Sequence, residues 1–438
     1  MIAPASVLSL VALLAPSADW PALLGADGAG TATGAAPLTW SAQSNVAYST
    51  RLPGRGDSSP AVAGRWVHVT AQTRNDDLHV LTLDRRSGRL HQSTVVGRGE
   101  VQATGPRSLW ADRHNAASPT PVATADRVWA FFGTGLLVCL EAESHREVWR
   151  RDLVADYGRY DITFGMGASP RLAERDGQPV LLVSCLTKGA SYVLCLAAAD
   201  GAEVWHVERK YDVFRDAADA YTSPVVRQTA SGPEVVVAGA DQIDAYDLQT
   251  GRRRWVSEGF QIDSPYGRMI ATPAIGTGSM QGLVVGASAN PSGGGLGRTV
   301  AIGVNDARGT AAPLWRYAKS SPDSCSPLLV DKSLLLLSGT GILTTLNPLT
   351  GERVEVERLP GEYFASPVAV RGDGRTTIYA LSTDGRCSVL QLDPTQLPVP
   401  KPLAAGVNVL PGTFYATPAV ADGTLYLRAW ERLYAIRE

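Results

Sequence analysis

Short apolar runs alternate with polar, glycine-rich turns along nearly the whole chain, and helical periodicity is almost absent. Residues 223–255 show the pattern most clearly. Ser223-Pro224-Val225-Val226 leads to Glu234-Val235-Val236-Val237-Ala238, then Ile243-Asp244-Ala245-Tyr246-Asp247, then Thr250-Gly251 and a run ending at Trp255. Runs this short, rich in Val, Leu, Tyr and Trp and bounded by Gly, Asp and Ser, read as antiparallel strands joined by tight hairpins. Each such stretch spells four strands.

The stretch recurs. Ser/Thr-Pro followed by small apolar residues appears at Ser59, Ser118, Ser169, Ser223, Thr272, Ser326, Ser366 and Thr417, at intervals of 59, 51, 54, 49, 54, 40 and 51 residues. A period near 50 marks a repeat architecture. One four-stranded unit leaves both faces of its sheet uncovered, whereas units packed radially around an axis cover each other. The expected fold is all-β, an eight-bladed β-propeller of four-stranded antiparallel blades.

The chain ends fit a closed ring. The last repeat stops at Glu438 one strand short, and Asn45–Arg51 is a spare strand ahead of the first repeat. Pairing the two closes the ring through an N-terminal strand that completes the last blade and removes an open sheet edge. Residues 45–438 then form the propeller and 19–44 an N-terminal arm. Residues 1–18, with an apolar stretch from Val7 to Leu14 and small residues around Ala18, read as a signal peptide. Export to the periplasm or the extracellular space is the expectation, with no transmembrane segment, since the stretch is too short to span a bilayer.

A formal charge of −2, from 40 Lys plus Arg against 42 Asp plus Glu, excludes an electrostatically dominated partner such as nucleic acid. The ring is expected to be monomeric. The five cysteines form no Cys-x-x-Cys framework, so neither structural zinc nor any other metal is expected. Cys185 and Cys195 flank a hairpin centred near Ala190 and are candidates for a cross-strand disulfide. The run Gly293-Gly294-Gly295-Leu296-Gly297 sits between strands with no helix after it, as a long hairpin loop would and a phosphate-binding loop would not.

Two stretches, Asp19-Trp20-Pro21 through Ser59-Pro60 and His114-Asn115-Ala116-Ala117-Ser118-Pro119-Thr120-Pro121 with Val128-Trp129-Ala130-Phe131-Phe132-Gly133, resemble the secreted bacterial PQQ-like propeller proteins. The resemblance covers almost the whole chain after residue 18. It departs at Leu23-Leu24, where such proteins usually carry an aromatic-Arg pair. Ala245 to Trp255 also resembles their tryptophan-docking motif, which implies that Trp255 packs across a blade interface while Asp247, Thr250 and Gly251 shape the turn before it. Trp149, Trp205 and Trp315 stand in comparable positions. The quinone-dependent dehydrogenases of this fold typically carry longer loops and, in many cases, adjacent cysteines, which this chain lacks. No cofactor is therefore expected. The BamB-type scaffold propellers are a second resemblance, although their lipid anchor needs a cysteine at the signal cleavage site and none precedes Cys139.

The residues just before each Ser/Thr-Pro enter the innermost strands, so a closed ring gathers them at one mouth of the channel. Arg55, Asp57, Arg113, His114, Asn115, Tyr221, Arg268, Tyr363 and Tyr415 are the candidate partner-binding set, together with Phe164, Met166, Asp219, Met269, Asp323, Phe364 and Phe414 in the same segments. Aromatics mixed with both charge signs suit a protein, peptide or glycan partner. Aromatics there also serve simply to plug a channel, and Asn or Asp to cap a turn. No residue is assigned a catalytic role. The alternative function is a pyrroloquinoline-quinone-dependent oxidoreductase.

Overall fold

The alternating runs pair into eight sheets in a computed structural model that describes residues 19–35, 37–289, 297–372 and 374–438. The expected signal peptide and residues 293–296 of the glycine run lie outside the described residues. Each sheet is built on an antiparallel four-stranded blade, with one further strand added to blade 7, and the blade strands follow one another in sequence from the axis outward, as in blade 4 with Val225–Arg227, Glu234–Gly239, Gln242–Asp247 and Arg253–Glu258. Blade 8 is the exception that closes the ring. Its inner strands are Ala419–Ala421, Thr424–Ala429 and Arg432–Ile436, and Val46–Arg51 pairs antiparallel with the last as its outermost strand.

The Ser/Thr-Pro repeat has a structural cause. The backbone N–H of Ser59 donates to Thr120 Oγ1 (2.9 Å), Thr120 to Ser169 (2.9 Å), Ser169 to Ser223 (2.9 Å) and Ser223 to Thr272 (3.1 Å). The belt continues from Thr272 to Ser326 (3.1 Å), Ser326 to Ser366 (2.9 Å) and Ser366 to Thr417 (3.0 Å). Each hydroxyl satisfies a buried N–H of the preceding blade, a group that would otherwise be costly to bury. The second member is Thr120, not Ser118. The innermost strand Val122–Ala123 follows Thr120-Pro121 at the spacing seen in every other blade, so the repeat is re-registered by two residues there. Two consecutive Ser/Thr-Pro pairs made the choice ambiguous in the sequence.

Three outer seams are closed by tryptophan against glycine. Trp149 Nε1–H donates to the Ala198 carbonyl (3.0 Å), Trp205 to Leu248 (2.9 Å) and Trp315 to Pro348 (2.9 Å), each in the next blade. Each indole lies on a turn glycine with positive φ, where a Cβ on Gly201, Gly251 or Gly351 would come within 2.7, 2.8 or 2.6 Å of the ring. In the Gly251 turn, Asp247 accepts from both the N–H and the hydroxyl of Thr250 (2.9 Å each). Tyr48 takes the tryptophan's place at the closing seam, against Gly88.

The arm was not anticipated as a structural part of the ring. It runs across the channel face opposite the mouth, where Trp20 bridges to Val62 of blade 1 and Pro21 accepts from Ala123 of blade 2. Buried Arg171 of blade 3 donates to the carbonyls of Leu23 and Gly25 (2.7 Å each). Thr31–Thr33 then pairs parallel with Val368–Arg371 as a fifth strand of blade 7. The channel is thereby a blind well.

The disulfide candidate is corrected by register. Cys185 lies opposite Tyr192, and Cys195 opposite Leu182, because the hairpin is centred before Ala190. All five cysteines are free and buried.

Candidate functional site

Extended backbone alternates its side chains, and that alternation sorts the candidates. Counting back from the belt residue, the second position faces the channel and the third turns into the blade interface. Tyr221 and Phe364 occupy second positions and line a well of about 250 Å³. Tyr363 occupies a third position. It is fully buried between blades 6 and 7, with its hydroxyl donating to the Pro360 carbonyl (2.9 Å), so it is not a channel-mouth residue. Phe414, Met269 and Met166 are buried for the same reason.

Arg113, His114, Phe164, Tyr221, Arg268, Asp323 and Phe364 meet around the well. Phe164 is the centre of one wall. The Arg268 guanidinium lies 4.3 Å and the Arg113 guanidinium 5.5 Å from its ring centroid, and Tyr221 meets it edge-on at 6.3 Å. The Tyr221 hydroxyl accepts from the Phe164 N–H (3.2 Å). Arg268 is only 3 % exposed and donates to Asp216 (3.2 Å), while its Nε has no partner. Burial, reinforced by the Arg55 charge, holds the His114 imidazole down at about 4, so it is neutral at physiological pH.

The other candidates lie at the edge of the well. Arg55 and Asp57 belong to the closing seam: the Arg55 guanidinium lies 3.8 Å from the Trp430 ring centroid, and Asp57 is 3.8 Å from Arg55. Burial raises the Asp57 carboxyl while Arg55 and buried Arg428 oppose the shift. Arg428 ties blade 8 to blade 1 by donating to the carbonyls of Ser58 (3.0 Å) and Thr70 (2.5 Å). Asn115 caps its turn, accepting from Ala117 N–H (2.9 Å) and donating to the Arg55 carbonyl (3.1 Å). Tyr415 stacks on Trp430 at 6.0 Å and meets Phe364 edge-on at 4.9 Å.

Beside the well, separated from it by His114, a larger groove of about 810 Å³ runs between Arg55, Arg74 and Asp76 and the loop carrying Glu100, Arg107 and Trp110. Sequence reasoning missed three parts of the site: Leu23, which the arm contributes to the well; Ile270, at a second position; and the belt hydroxyls themselves. The repeated Ser/Thr was the available signal for the last. Among the described residues, no three His, Cys, Asp or Glu side chains cluster as metal ligands would, and no helix is long and apolar enough to cross a membrane.

Four-stranded blades, a hydroxyl belt at the axis and tryptophan-on-glycine seams define a PQQ-like β-propeller. The family model described as "Outer membrane protein assembly factor BamB" matches residues 97–255 and 177–438, and the chain belongs to that family. Among solved structures, BamB from Moraxella catarrhalis is 13% identical, with 90% of this chain and 99% of that chain covered and a TM-score of 0.57. The computationally designed Ika8 protein is 12% identical over 90% of this chain and 100% of its own, with a TM-score of 0.54. The quinohemoprotein alcohol dehydrogenase from Comamonas testosteroni is 12% identical over 97% and 81%, with a TM-score of 0.46. At these identities the likeness is one of fold. No curated protein matches the chain.

Proposed function

We propose that the chain is a non-catalytic binding or scaffolding propeller of the bacterial cell envelope, exported to the periplasm or the extracellular space, that holds a protein, peptide or glycan partner at the channel mouth. The observation that carries this reading is the blind well, where two guanidinium groups, one carboxylate and three aromatic rings from separate repeats converge on a space large enough for one inserted group. Membership in a family described as an outer membrane protein assembly factor supports the scaffold role and the envelope location. Nothing in the well requires chemistry of its side chains beyond recognition.

A photo-crosslinking residue in place of Phe364 at the mouth, and in a second strain in place of Val356 on the exposed outer strand of blade 6, tests the placement in living cells. A discrete adduct from position 364 alone is expected. An adduct from position 356 alone moves the working surface to the rim. Supplied with pyrroloquinoline quinone and Ca²⁺, the purified protein is expected to oxidise neither alcohols nor sugars in a dye-linked assay, and steady turnover would replace the scaffold reading with the dehydrogenase one.

A further inference from the structure

Each belt hydroxyl accepts one N–H, as described above, yet none of the seven donates its own proton to an acceptor among the described residues. A hydroxyl carries one donor besides its lone pairs, and a buried donor seeks an acceptor. Five of these groups, on Ser223, Thr272, Ser326, Ser366 and Thr417, line the well. The wall of blades 4 to 8 thus offers an arc of O–H donors to whatever occupies the channel, water or ligand.

A second observation points the same way. Arg268 lines the well while almost wholly buried, and its Nε is unpartnered although Asp216 accepts from the guanidinium's other end. Exposed Arg113 adds a second cation at the rim. A planar fork of N–H groups matches a carboxylate. Two Arg against Asp323 on the wall of blade 6 leave the lining itself with one net positive charge, because Asp216, outside the lining, is shared between Arg268 (3.2 Å) and Lys188 (3.3 Å), and this suits a monoanion better than a dianion. Phe164, Phe364 and Leu23 supply apolar surface for whatever carries that anion. At about 250 Å³ the well lies below the usual range for drug-sized ligands and accommodates one side chain or a small acid.

We propose that the well is a carboxylate-binding pocket, taking a monocarboxylate attached to an apolar or aromatic group with its oxygens on Arg268 and the belt hydroxyls. The carboxylate belongs either to a partner's acidic side chain or chain end, or to a free small acid. The inference rests on the reading of the mouth as the working surface, and the two fail separately: crosslinking at position 364 without carboxylate binding defeats only this inference, and carboxylate binding with crosslinking confined to position 356 defeats only the former.

Calorimetric titration of the full chain tests it with phenylacetate against phenylacetamide, and with a short peptide ending in a free Phe carboxylate against its C-terminal amide. Both acids are expected to bind and both amides to fail. Arg268→Gln is expected to weaken the acids by about tenfold or more, Arg268→Lys by less, and exposed Arg113→Gln, which does not threaten the fold, by a few-fold. A tighter peptide identifies a partner's carboxylate, and a tighter free acid a small-molecule ligand. Equal binding of acid and amide, binding of neither, or unchanged acid binding in both the Arg268→Gln and Arg113→Gln variants overturns the proposal.

Discussion

The seam between blades 3 and 4 and the seam between blades 4 and 5 begin from nearly the same local sequence and are closed by different physics. In the first, Trp205 lies on Gly251 and its indole donates to a backbone carbonyl. In the second, Trp255 is buried to 5 % exposure, yet its indole donates to Glu234 of its own blade (3.0 Å). Hairpin length explains the difference. In blade 4 Tyr246 pairs with Arg253 directly before the turn, but in blade 5 the equivalent pair, Ile302 with Pro313, is followed by further pairs out to Asn305 with Thr310. The blade 5 turn therefore overshoots, and Gly309 lies out of reach of the indole.

What occupies the space is an ion network. Arg227, 2 % exposed, donates to Glu234 (2.7 Å) in its own blade and to Asp306 (2.6 Å) in the overshooting turn of blade 5. Arg254 pairs with Asp247 (2.5 Å) and approaches Glu234 at 3.9 Å. Burial raises the Glu234 carboxyl, and Arg227 is the main group opposing that shift. A seam held by dispersion and one hydrogen bond tolerates no added atom, whereas a seam held by buried charge tolerates no missing partner.

The largest effect that tests this contrast is loss of the central cation. Arg227→Met leaves Glu234 buried beside an acid across the seam and is expected to cost about 3–5 kcal/mol by urea unfolding. Adding Glu234→Gln should recover part of that loss, and a single variant as stable as the parent would show that the network does not close the seam. The glycines separate the two seams next. Gly251→Ala meets both a φ of +72° and a ring 2.8 Å away, and is expected to cost about 2–3 kcal/mol. Gly309→Ala has a φ of +61° but nothing nearer than 3.7 Å, so only the backbone penalty of about 1 kcal/mol applies. Equal costs would erase the distinction.

The smallest effect concerns a third kind of seam. Between blades 1 and 2 the turn position held by glycine in blades 1, 3, 4 and 6 is His145, with a φ of 57°, bonded to Thr94 (2.8 Å) and to Thr82, which also meets His68 (2.8 Å). Burial lowers His145 to about 4 and His68 to about 3. With folded values below the usual 6.5, the unfolded chain binds more protons between the two, so stability falls as pH drops through 6.5 and levels off below the folded values. Carboxyls that burial raises act in the opposite direction, Asp241 to about 6 and with it Asp57, Asp219, Glu234 and Glu357, while His114, lowered to about 4, acts in the same direction as the two seam imidazoles. The urea midpoint is expected to fall between pH 7 and pH 5, and His145→Asn, which tolerates the positive φ, should flatten the fall. A pH dependence unchanged in His145→Asn would show that this imidazole is not held neutral by the seam.

How much was legible follows the range of each interaction. The closing strand Asn45–Arg51 was readable because a missing strand and a spare one are counts along the chain. The docking turn was readable because Asp247 and Thr250 are three residues apart. Tyr363 was misplaced by one position: its presence before a belt residue is visible in sequence, but which face it takes depends on where the extended segment starts. Ser118 was taken for Thr120 because both precede proline, and only the neighbouring blade's N–H distinguishes them.

The sequence by itself determined the strands, the eightfold repeat and the closure of the ring, since hydrophobic alternation, turn chemistry and the hydroxyl before proline all act within a few residues. Tertiary structure alone decided which glycine receives which tryptophan, that the arm turns the channel into a well, and that Arg268 reaches Phe164 two blades away. Those outcomes depend on hairpin lengths and approach distances between blades, and packed side chains register differences of one residue that leave no mark on a local pattern.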